Sequence, residues 1–341
     1  MTTPKRPRLA MALGDPAGIG PELIARLLSD TSVREQADIV LVADRAEAER
    51  GMEIAGRRYP YQEIGDLDSL SFAEETPLLF HMGEANREPF ARCRSSAASG
   101  RHAMETLERC LRLTRSGLTD AMIYAPVNKN SLHLAGMAHS DELHWLAELL
   151  GHTGPICELN TMDGLWTSRV TSHVPLAAVA GMISRQSVLD AVRLMYIALS
   201  NAGVASPRVG VCGLNPHNGD NGDCGREEIE VIAPALEEAR AQGMNVSGPF
   251  PADTIFLKAF GEKRAFDGVV TMYHDQGQIA IKLMGFSRGV TVQGGLPLPA
   301  VTPAHGTAFD ISQQGKADVG AMLQAFQIAV RFARNRKHWI S

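Results

Sequence analysis

The feature that most constrains the fold is a set of short apolar runs that recur between amphipathic segments. Continuous apolar runs bounded by Gly, Pro, Asp or Asn are typical of strands that are covered on both faces. The five clearest runs are Leu9–Leu13, Ile39–Ala43, Met122–Ala125, Arg208–Gly213 and Gly268–Tyr273. Strands of this kind that alternate with helices predict an α/β fold with a mostly parallel sheet.

Four other segments carry apolar residues at helical spacing, which predicts helices with one buried face. The predicted inward faces are Met104–Leu107–Leu111, Val188–Val192–Met195–Leu199, Ile229–Ile232–Leu236 and Met322–Phe326–Val330. The last face belongs to a helix that we predict from Ala317 to Arg334.

Composition places the chain among globular proteins and argues against two kinds of partner. Of its 341 residues 45% are hydrophobic, and the formal net charge is −5, which gives no basic face for nucleic acid. No apolar run approaches the roughly 18 residues of a membrane span. Five cysteines without C-x-x-C spacing are typical of reduced thiols. We therefore expect a cytoplasmic protein that binds neither nucleic acid nor membrane.

The stretch LAMALGDPAGIGPELIARLL, Leu9–Leu28, has the outline of a phosphate-binding loop, with a strand, glycines and a helix in order. The spacing of Gly14, Gly18 and Gly20 nevertheless matches neither common phosphate motif, and no lysine follows. Pro21 stands at the start of the helix and lacks the N–H group that a phosphate would bind. We therefore predict a structural turn from the first strand into the first helix.

Three of the eleven histidines directly follow strand-like runs. They are His173 in VTSHVPL, His217 in CGLNPHNGD and His274 in VVTMYHDQG. Ligands of parallel α/β sheets bind beyond the carboxyl ends of the strands, which makes these residues a candidate metal triad. Their wide separation in sequence is unlike any local zinc motif, so three unrelated loop histidines remain an alternative.

Two carboxylates and a lysine near these segments are candidates for proton transfer. Asp275 follows His274, and Asp253 lies in PFPADTIF. Each could act as an acid or base or could orient a ligand histidine, although Asp253 could instead cap a helix and Asp275 could shape a turn. Lys282 lies in the apolar IAIKLMGF, where we expect a buried ammonium that pairs with an anionic substrate group. A surface lysine is the alternative.

Taken together, these segments resemble the 4-hydroxythreonine-4-phosphate dehydrogenase family of pyridoxine (vitamin B6) biosynthesis. The shared segments run in order from Leu9 to about Phe332. They are GDPAGIGPE, APVNK, VTSHVPL, GLNPH, EEI, GPFPADT, YHDQGQIAIK, GFSRGV and HGTAFDI…GKADVG. That family is in turn similar to the isocitrate and isopropylmalate dehydrogenases.

The resemblance implies a two-subdomain α/β/α fold with the active-site cleft between the subdomains. It places residues 1–127 and 267–341 in an outer subdomain with the nucleotide-binding segment. Residues 128–266 form a middle subdomain with dimerisation and metal-ligand loops. It also implies a homodimer whose active site is shared across the interface.

The same resemblance implies a set of functional residues. One divalent metal, zinc or else magnesium, cobalt or manganese, binds His173, His217 and His274, one of which comes from the second subunit. NAD or NADP binds the segment His305, Gly306, Thr307, Ala308 and Asp310, where glycine lets a ligand approach the backbone. Lys282, Asp253 and Asp275 occupy catalytic or substrate positions. The reaction is oxidation of a secondary alcohol, with decarboxylation where a β-keto acid forms.

Four substrate positions depart from the family pattern. Glu142 and Leu143 replace a His-Thr pair, Thr291 replaces Asn, and Ala300 replaces Arg. Since phosphate requires Arg, His and hydroxyl donors, these changes favour a different substrate, such as a cis-dihydrodiol carboxylate. A four-carbon sugar acid, phosphorylated or not, the orthodox activity, and a catalytically inactive metal-binding homologue remain alternatives.

Overall fold

The computed structural model describes residues 6–66, 70–73, 75–81, 89–261, 263–285 and 288–335. The chain divides into two compact units. The first comprises residues 1–153, 287–291 and 296–341, and the second comprises residues 154–286 and 292–295. None of the described helices is long and apolar enough to cross a membrane.

The first unit, in its described residues, contains six strands and seven helices. The strands are β1 (Arg8–Ala12), β2 (Asp38–Ala43), β3 (Gln62–Ile64), β4 (Leu78–His81), β5 (Ala121–Tyr124) and β12 (Ala300–Pro303). The helices are α1 (Gly20–Leu28), α2 (Thr31–Arg34), α3 (Arg45–Ala55), α4 (Ala97–Arg115), α5 (Lys129–Leu134), α6 (Glu142–Leu150) and α12 (Gly320–Arg334). The strands pair in the order β3-β4-β2-β1-β5-β12, and every pair is parallel.

The second unit, over the part of it that the structure describes, contains five strands and five α-helices. The strands are β6 (Cys157–Met162), β7 (Leu165–Arg169), β8 (Val209–Cys212), β9 (Val246–Phe250) and β10 (Gly268–Thr271). The helices are α7 (Leu176–Met182), α8 (Arg185–Asn201), α9 (Ala233–Ala241), α10 (Ala252–Ala259) and α11 (His274–Gly285). The order is β6-β7-β10-β8-β9, in which β6 pairs antiparallel with β7 and the other described pairs are parallel. The strand β11 (Val290–Gly294) has residues in both units.

The predicted strands and most predicted helix faces are confirmed. All five apolar runs form buried parallel strands, β1, β2, β5, β8 and β10, whose ends lie within two residues of the predicted ends. The predicted face of α8 is buried throughout, as is that of α12, which begins at Gly320 rather than at Ala317. The prediction that Ile229 faces inward is wrong, because this residue is 46% exposed. A π-helical turn, Glu228–Ile232, precedes α9 and rotates Ile229 off the face of Ile232 and Leu236.

The unit boundaries lie later in the chain than the expected 127/128 and 266/267. The first unit continues through α5 and α6 because both helices pack on α4. The second unit continues past residue 266 because β10 pairs with β7 and β8.

In the glycine-rich loop after β1, backbone N–H groups donate hydrogen bonds to acceptors within the protein. The N–H of Asp15 donates to Pro126 O (3.0 Å), and that of Ala17 donates to the Asp15 carboxylate (2.9 Å). The N–H of Ile19 donates to Thr307 O (3.1 Å). Asp15 is fully buried, and burial raises the pKa of its carboxyl group despite these hydrogen bonds. The loop is therefore a structural turn, as its sequence predicts.

Gly18 is the glycine of this loop that packs against Thr307, and it supplies a direct test of that contact. A Cβ at this position would lie 2.7 Å from both Cβ and O of Thr307. We expect Gly18→Ala to lower the free energy of unfolding by about 1–3 kcal/mol through overpacking. Gly65→Ala is the matched control, because no heavy atom of the described residues lies within 4 Å of a Cβ there. Equal urea midpoints for the two variants would contradict the packing of residue 18 on residue 307.

Candidate metal centre and active site

The three histidines that the sequence singles out follow three neighbouring parallel strands of the second unit. β10 lies between β7 and β8 in the sheet. His173 follows β7, His274 follows β10 and His217 follows β8. The parallel topology therefore brings residues that are far apart in sequence to one edge of the sheet, where α/β proteins bind their ligands.

Hydrogen bonds hold β7 and β10 together beyond their last paired residues. The N–H of Val170 donates to Thr271 O at 2.9 Å. The N–H and the hydroxyl of Thr171 both donate to Met272 O, at 3.0 and 2.9 Å. His173 and His274 each stand two residues further on, and their ring centroids are 5.6 Å apart at an interplanar angle of 45°. The paired backbone therefore places the two imidazoles side by side.

Asp275 orients one of the two imidazoles. Its Oδ1 lies 2.8 Å from Nδ1 of His274, and a carboxylate can only accept, so Nδ1 carries the proton. The side chains of His274 and Asp275 are 36% and 69% exposed. This bond leaves Nε2 of His274 with its lone pair available to a ligand, as in carboxylate–histidine–metal arrangements. Of the two interpretations of Asp275, the orienting role is the one that this geometry favours.

A pocket of about 240 Å³ lies at the histidine pair. His173, His274 and Asp275 supply its polar wall, and Leu176 and Val179 of α7 lie on its apolar side. Two adjacent imidazoles with one ring fixed by a carboxylate suit zinc and related ions, which bind His nitrogen. The chemistry of these side chains therefore fits a divalent metal, and two of the three predicted ligands lie side by side.

His217 lies on a turn of unusual backbone conformation, Pro216–Gly222. All five residues from His217 to Asn221 have positive φ, between 46° and 75°, and only Gly219 among them is a glycine. Non-glycine residues in this region cost about 1–3 kcal/mol each, and such strain concentrates at functional sites. The sequence predicts the loop, but it does not predict this conformation.

A buried carboxylate braces the start of this turn. Glu228 is 3% exposed, and its Oε1 accepts the N–H groups of Leu214 and Asn215, each at 2.7 Å. Its Oε2 accepts Nδ2 of Asn215 at 3.0 Å. Asn218 adds a bond from its Nδ2 to Pro249 O at 2.8 Å. The signal for Glu228 in the sequence is the EEI segment, and the structure supplies its role.

The structure thus brings two of the three predicted metal ligands together. His217 is exposed on its own turn. No group of three His, Cys, Asp or Glu side chains suited to a metal occurs within the described ranges of this single chain. Assignment of His217 as the third ligand remains a prediction.

Two further predicted residues lie on the surface of the second unit. Lys282, expected to be buried, is exposed on α11. The prediction is wrong because its apolar neighbours are themselves on the surface, Ile279 being 58% and Leu283 84% exposed. Asp253 is exposed in the first turn of α10, whose N-cap is Pro251, so it does not cap that helix.

The predicted cofactor segment follows β12 in the first unit and packs on the glycine-rich loop. Thr307 is 5% exposed and Ala308 has φ 43°. Ser312 donates its hydroxyl to Ala17 O at 3.1 Å. Gly306 and Asp310 are exposed, and a Cβ on Gly306 would meet no atom of the described part of the chain within 4 Å. His305 is partly exposed, and its Nδ1 lies 3.0 Å from Gly306 O. The segment is therefore held in place by its contacts with the glycine-rich loop, while Gly306 remains open to solvent.

The comparison with known families identifies the family of the chain. The family described as "Pyridoxal phosphate biosynthetic protein PdxA" matches residues 35–329. This chain belongs to the PdxA family. It is 64% identical over 98% of its length to the Pseudomonas aeruginosa "Putative 4-hydroxythreonine-4-phosphate dehydrogenase 2", all of which is covered. It is 36% identical to the D-threonate 4-phosphate dehydrogenase of Cupriavidus necator, with 97% of this chain and 98% of the relative covered.

Solved structures confirm the predicted α/β fold of the PdxA family. The 4-hydroxythreonine-4-phosphate dehydrogenase of Klebsiella pneumoniae has a TM-score of 0.83 at 32% identity, over 98% of this chain and 100% of that one. The terephthalate 1,2-cis-dihydrodiol dehydrogenase of Burkholderia xenovorans has a TM-score of 0.69 at 26% identity, over 96% and 98%. The same fold therefore carries relatives with differently named substrates.

The positions that depart from the PdxA pattern are all buried in the first unit. Glu142 and Leu143 open α6 and are 8% and 2% exposed. Thr291 on β11 is 9% exposed, and Ala300 on β12 is fully buried against its strand partner Met122. Leu143 and Ala300 therefore present no polar group at the two positions where the resemblance leads us to expect Thr and Arg.

A histidine that the sequence did not single out stands beside Glu142. Asp141 caps α6 by accepting the N–H of His144 at 3.0 Å, and its Oδ1 lies 2.6 Å from Nδ1 of the same residue. Burial raises the pKa of Asp141, but these hydrogen bonds outweigh it and leave that pKa lowered. The His144 side chain is 53% exposed. An Asp followed three residues later by His at a helix start is the signal that could have found this pair.

The brace on the His217 turn can be tested by removing one carboxylate. Glu228→Ala leaves the partly buried N–H groups of Leu214 and Asn215 without this acceptor, so we expect a loss of about 1–3 kcal/mol in the free energy of unfolding. Glu230→Ala is the control, because the Glu230 side chain is 58% exposed and pairs with the exposed Arg226. Chemical denaturation measures both. Hydrogen exchange that stays unchanged in residues 213–223 of Glu228→Ala would contradict the assigned brace.

Proposed function

We propose that this protein is a metal- and NAD(P)-dependent dehydrogenase that oxidises the secondary alcohol of a small hydroxy acid or diol. The observation that carries the proposal is the pair of imidazoles of His173 and His274, 5.6 Å apart at the carboxyl ends of β7 and β10. The dehydrogenase names of relatives that span the whole chain support the same reaction class.

In this proposal His173 and His274 hold one divalent cation, zinc or else magnesium, cobalt or manganese, and His217 is the third ligand. Asp275 keeps the proton of His274 on Nδ1, so that Nε2 faces the cation. When bound, the cation supplies Lewis acidity that lowers the pKa of a substrate hydroxyl and stabilises a developing carbonyl. Lys282 and Asp253, both exposed, remain the proposed groups for substrate binding and proton transfer.

The segment His305–Asp310 is the proposed binding site of NAD or NADP. Two observations support this proposal. Gly306 is exposed and uncrowded, and the next residue, Thr307, is held in place because its carbonyl oxygen accepts the N–H of Ile19. Hydride transfer is the chemistry that the nicotinamide supplies, and the protein contributes binding and orientation. Where oxidation yields a β-keto acid, loss of carbon dioxide follows as a second step of the proposal.

A homodimer is proposed from the apolar side chains around the histidine pocket. Helices α7, α10 and α11 expose Leu176 (70%), Leu257 (80%) and Leu283 (84%). α7 lines the pocket beside the start of α11, and α10 packs on α11. Large exposed apolar side chains on adjoining helices are typical of a surface that a partner covers. A second copy would bury these leucines and could supply the missing ligand from its own His217.

The proposed substrate is unphosphorylated, with a cis-dihydrodiol carboxylate as the leading class. The resemblance assigns residues 142, 143, 291 and 300 to substrate positions, and in this chain they are a carboxylate, an apolar leucine, a hydroxyl residue and an alanine, all buried. A carboxylate repels a phosphate dianion, whereas phosphate recognition requires Arg or several donors. A four-carbon sugar acid, phosphorylated or not, is the second candidate, because one relative is named as a D-threonate 4-phosphate dehydrogenase.

Steady-state assays on a substrate panel test the proposed specificity. The zinc-loaded protein is offered hydroxy acids and diols, each with and without a phosphate, together with NAD⁺ or NADP⁺. We expect kcat/KM to be at least about tenfold higher for the unphosphorylated compounds, which corresponds to about 1.4 kcal/mol of charge repulsion. Efficient turnover of 4-phosphohydroxythreonine would contradict this specificity.

A variant pair provides the control for that assay. Glu142→His combined with Leu143→Thr should shift preference toward phosphorylated substrates, whereas Glu148→His on the exposed side of α6 should not. Calorimetry of NAD⁺ binding to the zinc-loaded protein separates the enzyme from a catalytically inactive metal-binding homologue. Absence of nucleotide binding would favour the inactive homologue.

A further inference from the structure

A buried guanidinium lies beside the turn that carries His173. Arg169 ends β7, and its side chain is only 4% exposed. Its Nη2 lies 2.8 Å from Oε2 of Glu158 on β6. The Glu158 side chain is 17% exposed, and desolvation of a largely buried ion pair offsets much of the attraction between the charges. Fold stability alone is therefore a weak reason for an Arg–Glu pair at this place.

The other donors of Arg169 reach both segments that present imidazoles. Nε donates to the hydroxyl of Ser172 at 2.8 Å, and Ser172 directly precedes His173. Nη1 donates to Oδ1 of Asn160 at 3.3 Å, and the same oxygen accepts Nε2 of Gln278 at 2.7 Å. One guanidinium is thus connected to the His173 turn directly and to α11 through one intervening amide.

Gln278 is placed to transmit that connection to His274. Both residues lie on α11, four positions apart, and side chains at this spacing share one face of a helix. A second glutamine fixes the start of the same helix, because Oε1 of Gln276 accepts the N–H of Met272 at 2.8 Å. The helix that begins with His274 is therefore held by polar side chains as well as by strand pairing.

We propose that Arg169 is a positioning residue for the candidate metal centre. Through Ser172, and through Asn160 and Gln278, it fixes the two imidazoles at the separation that a shared cation requires. The proposal rests on the proposed function, since it assumes that His173 and His274 bind a metal. The planar fork of Arg reaches three partners at once, which the single ammonium of Lys does not. Glu158 neutralises a positive charge that would otherwise oppose cation binding.

Two variants cut the connections while leaving the Arg169–Glu158 pair intact. Ser172→Ala removes the bond to the His173 turn, and Gln278→Ala removes the bond to α11. We expect each to weaken zinc binding by about 10–100-fold, as is usual for groups that orient metal ligands. Competition with a chromophoric chelator measures the affinity, and the visible spectrum of the Co²⁺ form reports ligand geometry. Arg169→Lys should give the same loss, and Ser172→Thr should restore affinity.

Ser200→Ala is the matched control, because its hydroxyl bonds to Tyr196 O within α8 of the same unit. The melting temperature of each metal-free variant should equal that of this control. Wild-type zinc affinity in both Ser172→Ala and Gln278→Ala would overturn the positioning role. So would an affinity loss matched by a fall in the metal-free melting temperature. Absence of zinc binding by the wild-type protein would instead overturn the proposed function itself.

Discussion

The parallel pairing of β7 with β10 is the constraint on which the candidate site depends. The bond from Thr171 N–H to Met272 O extends this pairing past the last ladder residues and sets His173 beside His274. The backbone alone therefore brings together two residues that are distant in sequence. The side chains then refine the geometry, since Asp275 fixes one ring and Arg169 connects the turn before the other to α11.

In the first unit, the glycine-rich loop contributes to packing rather than to ligand binding. Its N–H groups are satisfied by the protein, and Gly18 lets residue 307 approach closely. The loop thereby supports the segment that we propose for the nucleotide. The glycines therefore shape the support of the proposed nucleotide-binding segment and do not themselves form a phosphate-binding loop.

The buried parallel strands and the positions of His173 and His274 after two of these strands could be predicted from the sequence. Apolar runs and the histidines that follow them are local signals. Predictions failed where the conformation depends on neighbours. The π-helical turn rotates Ile229 outward, and the surface position of α11 exposes Lys282. The left-handed turn at His217 depends on the buried Glu228, which lies beyond the local sequence. The pattern of a single sequence does not indicate whether a metal ligand comes from the same chain or from a second copy of it.

The most direct test of the central claim, a metal centre shared between two copies, is complementation between inactive variants. His217→Ala and His274→Ala protein are each expected to bind no zinc at the centre. Mixing them in equal amounts after dissociation should restore about a quarter of the wild-type zinc content, because half of the symmetric dimers then contain one intact site. If the mixture binds no more zinc than the separate variants, His217 and His274 do not meet across an interface, and the account is contradicted.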